Sequence, residues 1–352
     1  MTTIKRIGFS SKIGGLLAAA GSAIGLGNIW RFPTQLGENG GSVFLLVYIL
    51  IILLFGVPLL IAEFTIGRRA RANVGNAYSV LAPNTGWKYV GIGSVAVASV
   101  ILCYYNVVVA WVLYYAFDSV TGVFNDLAEL QATAEAGKDV FASHFTDFIS
   151  NPWKPIVSLV VVLALIHGVI VCGVQKGIER SSKLLMPALF IILVMMAVFA
   201  ATMPGASKSY EFLFKPNFSA ISNPDVWLAA LGQCFYSFSL GMGIVTYASY
   251  FKSDVNLSKT AISVACLDTF VAILAGLVIF PAVFSVAGVE PSAGAGLVFI
   301  SLPNVFHSAL HASPFLNWLI PSAFYLILLV AALTSCIFLH EVATAFVAER
   351  TE

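Results

Sequence analysis

Long apolar runs separated by short polar stretches set the outline of this chain. A hydrocarbon core of about 30 Å takes roughly 20 helical residues, more when the helix tilts. Eight runs reach that length, at 12–36, 41–67, 88–117, 154–173, 184–204, 224–252, 258–287 and 315–348. Only two of the connections are long. The segment from Asp118 to Trp153 carries Asp126, Glu129, Glu135, Asp139 and Asp147, and its Ala/Glu-rich part predicts a short helix outside the membrane. The segment 288–313 sets Pro291, Gly294, Gly296 and Pro303 around the run Leu-Val-Phe-Ile-Ser-Leu, which predicts an external helical hairpin too short to span, either a lid or a connector.

Two of the eight runs are interrupted. Residues 21–33, Gly-Ser-Ala-Ile-Gly-Leu-Gly-Asn-Ile-Trp-Arg-Phe-Pro, put glycines, an asparagine, an arginine and a proline inside one apolar span. Unpaired backbone groups in hydrocarbon are costly, so irregular backbone at membrane depth persists where it lines a cavity or binds something. The guests that such chemistry suits are an ion or a small polar solute. The sixth run repeats the theme with Gly232-Gln-Cys-Phe-Tyr-Ser-Phe-Ser-Leu-Gly-Met-Gly243. Close packing of small residues is the plain alternative, but it does not call for Asn28 and Arg31 in the same turn. Broken helices five spans apart are the signature of oppositely oriented repeats, whose half-helix ends and freed carbonyls hold solutes at the bilayer midplane.

Composition agrees with a polytopic membrane protein. Of the 352 residues, 59% are hydrophobic and only 10% charged, against roughly 25% charged in soluble domains, and the mean hydropathy is +0.93. The net charge of +1 leaves no footprint for nucleic acid. With the N-terminus cytoplasmic, thirteen of the 18 Lys and Arg fall inside, and four (Lys138, Lys154, Lys208, Lys215) fall outside. That bias predicts both termini in the cytoplasm of a multi-pass cell-membrane protein. The polar start leads into a span too long for a cleavable signal peptide. All five cysteines lie in or beside apolar runs and read as free thiols. Histidines 144, 307 and 311 fall in connections, while His167 and His340 read as hydrogen-bonded structural groups.

Glu63 and Asp268 are acids well inside spans, where an ionisable group marks function by default. Glu63 follows Gly56-Val-Pro-Leu-Leu-Ile-Ala and reads as a strut that accepts hydrogen bonds from the broken backbone, rather than as an ion ligand. Asp268 has no basic neighbour in its own span. A bound cation or a proton would relieve the cost of burying it. Thr334 and Ser335 lie deep in the eighth run. Their hydroxyls either bond back to the preceding turn or join carbonyls in a hard-cation site.

Together these motifs resemble the neurotransmitter:sodium symporter family, in its bacterial amino-acid transporter branch, over nearly the whole chain. The carriers are 21–33, Glu-Asn-Gly-Gly (38–41), Gly-Val-Pro-Leu (56–59), Lys-Gly-Ile-Glu-Arg (176–180), Ser-Leu-Gly-Met-Gly (239–243), Thr-Tyr-Ala-Ser-Tyr (246–250) and Ala-Leu-Thr-Ser (332–335). The resemblance implies an all-α, leucine-transporter-like fold with a first repeat over 12–204 and a partial second repeat over 224–348, forming one transmembrane domain across 1–352. It also implies sodium-coupled symport of neutral, hydrophobic or aromatic amino acids by alternating access. One sodium would be held by the Ala23 carbonyl, Asn28, Ser237 and Asp268. A second would be held by carbonyls of Gly21, Ile24 and Ala331 with the hydroxyls of Thr334 and Ser335. The substrate carboxylate would meet the first sodium, the amides around Leu26 and Gly27, and the Tyr105 hydroxyl. Its side chain would fill a pocket of Ile101, Tyr236, Ser239, Met242 and Leu339, and Ala23 and Ser237 would border the substrate as well as the sodium. Arg31 belongs to the external gate, and Arg6 with Glu349 to the cytoplasmic gate beside Phe9.

Three departures from the family pattern matter. Asp268 stands where the family often has Asn, and a fixed carboxylate there replaces the chloride that balances sodium in other members, which predicts chloride independence. Met242 stands where a leucine-selective member has Phe, which favours a broad or aromatic-accepting pocket. The family continues through at least eleven spans, whereas eight are read here, so Arg31 lacks the acid that a tenth span supplies. The chain then reads as a symporter truncated after the eighth span, which either does not transport alone or recruits helices from another chain. Rival classes find little support. His340-Glu341 lacks the second zinc-protease histidine because Thr344 occupies its place, no hydrolase elbow is present, and a single central site between broken helices suits alternating access better than a channel filter.

Overall fold

The computed structural model is an all-α bundle and describes residues 8–134, 139–285, 296–310 and 313–351. The first run is two helices. Ser11 caps α1 (Lys12–Ala23), its hydroxyl accepting from the Gly14 amide at 3.0 Å, which satisfies one donor that the helix start leaves open. At Ile24 the backbone turns extended and the helix stops. It resumes as α2 (Gly27–Glu38), opening with a π-turn over Gly27–Arg31, and the two halves are bent by 49°.

The second run, α3 (Ser42–Ala70), stays continuous by widening into a π-turn over Ile52–Gly56 immediately before Pro58. A wide turn there accommodates a residue that has no amide to donate. Gly56 also lets α3 approach the sixth run, since a Cβ at that position would sit 2.8 Å from the Cys234 sulfur. The chain continues through α4 (Val74–Leu81) and the long α5 (Lys88–Thr121). Between Thr121 and Lys154 there are two short helices, α6 (Val123–Thr133) and α7 (Val140–Ser150), where one was expected.

Next come α8 (Lys154–Val171) and α9 (Val174–Ala200). The fifth span was expected at 184–204 and instead begins at Val174. Its polar first turns read as loop, yet the helix forms because Glu179 is buried and hydrogen-bonded by Ser10, Ser11 and Lys183. After α10 (Ala206–Phe214) the sixth run divides into α11 (Pro224–Ser237) and α12 (Ile244–Ala248). The interruption expected in the run 224–252 is thus present, and neither part is long enough to cross a membrane as a helix. Ser239, Gly241 and Gly243 between the parts adopt positive φ of 53°, 74° and 125°.

The bundle closes with α13 (Leu257–Ser285), α14 (Leu297–Ser308) and α15 (Pro314–Thr351). Of the external hairpin expected at 288–313, residues 288–295 and 311–312 lie outside the described residues. Its second half, α14, inserts Phe299 between Trp30 of α2 (6.0 Å between ring centroids), Trp111 of α5 (5.8 Å) and Phe145 of α7 (5.4 Å, stacked). Among the described residues, six unbroken helices are long and apolar enough to span, and the bent pair α1 and α2 makes a seventh. The helices α15 and α5 pack along each other, and α13 lies against α1 and the π-turn of α2, so both broken runs sit inside the bundle.

Candidate functional site

The two breaks face each other, and the polar groups they free meet those of α13 and α15. Asn28, at the π-turn of α2, donates from Nδ2 to Asp268 Oδ1 at 2.8 Å and to the Asp268 carbonyl at 3.1 Å. Its Oδ1 accepts from the Gly25 amide at 3.1 Å. Ser237, the last residue of α11, points its hydroxyl at both Asp268 oxygens, at 2.9 and 3.0 Å, and Tyr48 of α3 adds a longer contact of 3.4 Å. Asp268, Asn28 and Ser237 are 0%, 0% and 2% exposed. Among the described residues no Lys or Arg forms an ion pair with Asp268. Neutral donors therefore meet a buried carboxylate whose charge they do not cancel.

On the other side of the first break, the Ile24 carbonyl faces Thr334 Oγ1 at 3.4 Å and Ser335 Oγ at 3.5 Å. Thr334 also bonds back to the Ala331 carbonyl at 2.9 Å, so the back-bonding reading and the shared cluster hold at once. Gly21 lies beside Thr334, since a Cβ on it would be 3.5 Å from that side chain. The Ile24 and Ala331 carbonyls and the Thr334 and Ser335 hydroxyls thus come together as a second set of oxygens, with Gly21 packed beside them. No cluster of three or more His, Cys, Asp or Glu stands among the described residues. The donor sets are carbonyls, hydroxyls and one carboxylate, suited to a hard cation and not to a thiolate- or imidazole-seeking metal.

Between the two sets lies an inner cavity of about 30 Å³. Nine of the ten residues assigned to the substrate line it: Ala23, Gly27, Ile101, Tyr105, Tyr236, Ser237, Ser239, Met242 and Leu339. The tenth, Leu26, lines an outer cavity of about 280 Å³, while its amide donates to the Tyr105 hydroxyl at 3.2 Å. Ser22, Gly25 and Phe338 join the inner lining unanticipated. Gly25 lies within the break and Ser22 in the last turn of α1, both inside the interrupted stretch 21–33, so their neighbours carried the signal. Phe338 is an ordinary apolar residue of a helix and gave none.

A tier of side chains separates the two cavities. Gly27, Tyr105 and Tyr236 touch both, and the hydroxyls of Tyr104 and Tyr236 are 3.4 Å apart. The guanidinium of Arg31 lies over the Tyr236 ring, 5.0 Å from its centroid, and donates to Gln233 Oε1. Gln233 in turn donates to the Gly27 carbonyl at 3.2 Å. Arg31 thus has a partner inside the bundle that the sequence reading missed. The signal was available, because Gln233 is a polar residue beside a glycine in mid-span.

Glu63 Oε1 accepts from the Gly241 amide at 2.8 Å, inside the second break where Gly241 adopts φ 74°. At the far end of the bundle, Arg6 lies outside the described residues. Glu349 accepts from the Asn73 amide at 3.2 Å and from the side chains of Asn73 and Asn76. Phe9 packs against Tyr247, Tyr250 and Phe251, with ring centroids 5.8–6.1 Å apart.

The chain is similar in sequence and in fold to known proteins. The model of the sodium:neurotransmitter symporter family matches residues 6–128 and 125–351. The chain is 38% identical over 353 residues to the uncharacterized sodium-dependent transporter YhdH of Bacillus subtilis, covering 100% of this chain and 75% of that protein. It is 32% identical to the mouse sodium-dependent neutral amino acid transporter B(0)AT3 over 306 residues, covering 81% of this chain and 48% of that protein. The crystal structure of MhsT in complex with L-phenylalanine superposes with a TM-score of 0.86 at 43% identity, over 98% of this chain and 75% of that one. The chain belongs to the sodium:neurotransmitter symporter family, whose members are membrane transporters and not enzymes.

Proposed function

We propose that the chain is a sodium-coupled symporter of neutral amino acids with hydrophobic or aromatic side chains, working by alternating access without chloride. In this reading it lies in the cell membrane with both ends in the cytoplasm. The observation that carries the reading is the buried Asp268 carboxylate, held by Asn28 and Ser237 at the meeting of two broken helices and next to a small inner cavity. The neutral amino acid transporter B(0)AT3 and the phenylalanine complex of MhsT support the substrate class.

One sodium is assigned to the Ala23 carbonyl, Asn28, Ser237 and Asp268, and the substrate carboxylate completes its shell. The amide of Leu26 and the Tyr105 hydroxyl, already paired with each other, are the polar groups that would orient that carboxylate. A second sodium is assigned to Gly21, Ile24, Ala331, Thr334 and Ser335, where it pins α1 to α15. Because substrate and the first sodium share a shell, each raises the affinity of the other. Closure above the site is the task of Tyr105, Tyr236 and Arg31. Departure of the second sodium frees α1 to move away from α15 and opens the path inward. Glu63 is assigned as a strut for the second break. The first repeat is placed at 12–204 and the second at 224–348.

An inner cavity of about 30 Å³ has room for about one water, so the amino-acid side chain enters only as Tyr236 and Met242 swing aside. Met suits that role because its thioether chain bends at little cost. Met242→Phe is accordingly expected to shift relative affinity from tryptophan and phenylalanine toward leucine by about tenfold, the scale on which pocket-filling groups discriminate. Competition binding among the three amino acids measures it, and an unchanged ranking would count against this pocket assignment.

Chloride is the direct test of the role given to Asp268. Uptake or binding measured with gluconate in place of chloride, at constant sodium, is expected to keep its full amplitude. A marked loss would show that a mobile anion balances the sodium and that Asp268 does not.

A further inference from the structure

Residues 8–12 lead into the half-helix that carries the carbonyls of both assigned sodium shells, and they are tied down at one point above all. The Glu179 side chain in the first turns of α9 is 1% exposed, yet it is not engaged with solute or substrate residues. Its Oε1 accepts from the Ser10 hydroxyl at 2.7 Å, the Ser11 hydroxyl at 2.9 Å and the Ser11 amide at 3.2 Å. Its Oε2 accepts from the Ser10 amide. Lys183, one turn along α9, supplies the counter-charge at 2.6 Å. Four donors from two consecutive residues thus converge on one carboxylate, which also sits at the positive end of the α1 dipole.

The surroundings are fitted to this grip. A Cβ on Gly14 would overlap the Glu179 carboxylate, so α1 approaches α9 closely because Gly14 has no side chain. Gln175 of α9 donates to the Gly8 carbonyl at 2.8 Å. The other ties of this segment run to the opposite neighbour: Phe9 donates to the Tyr250 carbonyl at 3.0 Å, Lys252 to the Ser10 carbonyl at 2.7 Å, and Lys12 pairs with Asp254 at 3.0 Å. The Lys12–Asp254 side chains are 63% and 60% exposed, where ion pairs contribute little. The buried, charged tie is Glu179.

We propose that Glu179 is a latch that positions α1, and that releasing the start of α1 from it accompanies escape of the second sodium and inward opening. The proposal rests on the symport reading above, and it assigns a positioning role to a residue that contacts neither sodium nor substrate. While the latch is closed, Gly21 and Ile24 stay against Thr334 and Ser335. When it opens, α1 tilts from α9 and the second oxygen set comes apart. Sodium at that set and the latch at the helix start therefore stabilise the same position of α1 and strengthen each other.

The test uses the full chain with its exposed cysteines Cys103, Cys172 and Cys266 replaced, and a reporter Ala19→Cys on the buried face of α1. Two latch variants are compared with the parent: Glu179→Gln, and Ser10→Ala combined with Ser11→Ala, which leaves the carboxylate paired with Lys183. Maleimide modification of the reporter in K⁺ is expected to be at least about tenfold faster in both, since hydrogen bonds to a charged group are the strong ones. Sodium should slow it again at higher concentration than the parent needs. The phenylalanine-to-leucine affinity ratio should stay as in the parent. Combining the two latch changes should add little to either alone, because they cut the same contact.

Parent-like modification rates and sodium dependence in both variants would overturn the latch. So would a uniform loss of bound amino acid with unchanged sodium dependence, which is what a merely structural role produces. Should Glu179→Gln fail to fold, the serine variant decides alone. Reporter modification needs no ligand, so failure of the parent to bind amino acid in sodium would sink the symport reading while the latch is still measured.

Discussion

Asp268→Asn is expected to raise the sodium concentration for half-maximal amino-acid binding by roughly ten- to a hundredfold, the range set by losing interactions with a charged group worth about 1.5–3 kcal/mol. The remaining binding is expected to become dependent on chloride. Asp268 is fully buried and receives only neutral donors, from Asn28, Ser237 and Tyr48. A buried carboxylate in that setting is costly without a cation, and a cation assigned there would be held by its fixed negative charge. Asparagine keeps the shape and an oxygen but removes the charge, so a mobile anion has to supply it. Sodium titrations of labelled phenylalanine binding, each done in chloride and in gluconate, read both effects. Sodium affinity equal to the parent's, with no response to chloride, would place the cation elsewhere.

Gly25→Ala is expected to abolish sodium-dependent binding altogether, with a loss of at least about a hundredfold, because over-packing a tight site costs about 1–3 kcal/mol and here falls on the second ion set and on the substrate-carboxylate groups together. A Cβ on Gly25 would overlap the Ser335 hydroxyl and stand 3.1 Å from the Tyr105 hydroxyl. It would therefore push Ser335 from Ile24 and Tyr105 from Leu26 in one step. Gly21→Ala supplies the contrast, because the nearest atoms there, on Thr334 and Met186, stand at 3.5–3.7 Å, an ordinary contact. Gly168→Ala, with nothing within 4 Å, should be silent. Equal losses in the Gly25 and Gly21 variants, or none in either, would contradict the packing assigned to the first break. Thermal stability of each purified variant separates a site effect from a folding effect.

How far the sequence alone reached depends on where polarity and apolarity conflict. Gly25, Gly27, Asn28 and Arg31 stand out because lipid penalises them, so the break in the first run was readable before any coordinates, whereas its meeting with Ser237 and Asp268 was implied only by the family resemblance. The same rule found Glu63, and it would have found Gln233 had it been applied to every mid-span amide. The start of α9 was misplaced for the converse reason. Lys176, Glu179, Arg180 and Lys183 resemble a loop, and only the distant Ser10 and Ser11, 169 and 168 residues away, explain why a helix forms through them. Phe338 and the small volume of the inner cavity follow from side-chain packing between helices, which no periodicity in one helix encodes. The outer segment gave two helices in place of one because its second half, α7, is organised by stacking of Phe145 on Phe299 and of Phe148 on Tyr114.

Equilibrium binding of labelled phenylalanine, leucine and tryptophan to the purified 352-residue chain in detergent, in Na⁺ and with K⁺ replacing it, tests the coupled site most directly. Saturable binding that appears in Na⁺ and vanishes in K⁺ is the predicted result. Equal binding in both salts, or none in either from monodisperse helical protein, would contradict the claim that Asp268, Asn28 and Ser237 build a sodium shell that the amino acid completes.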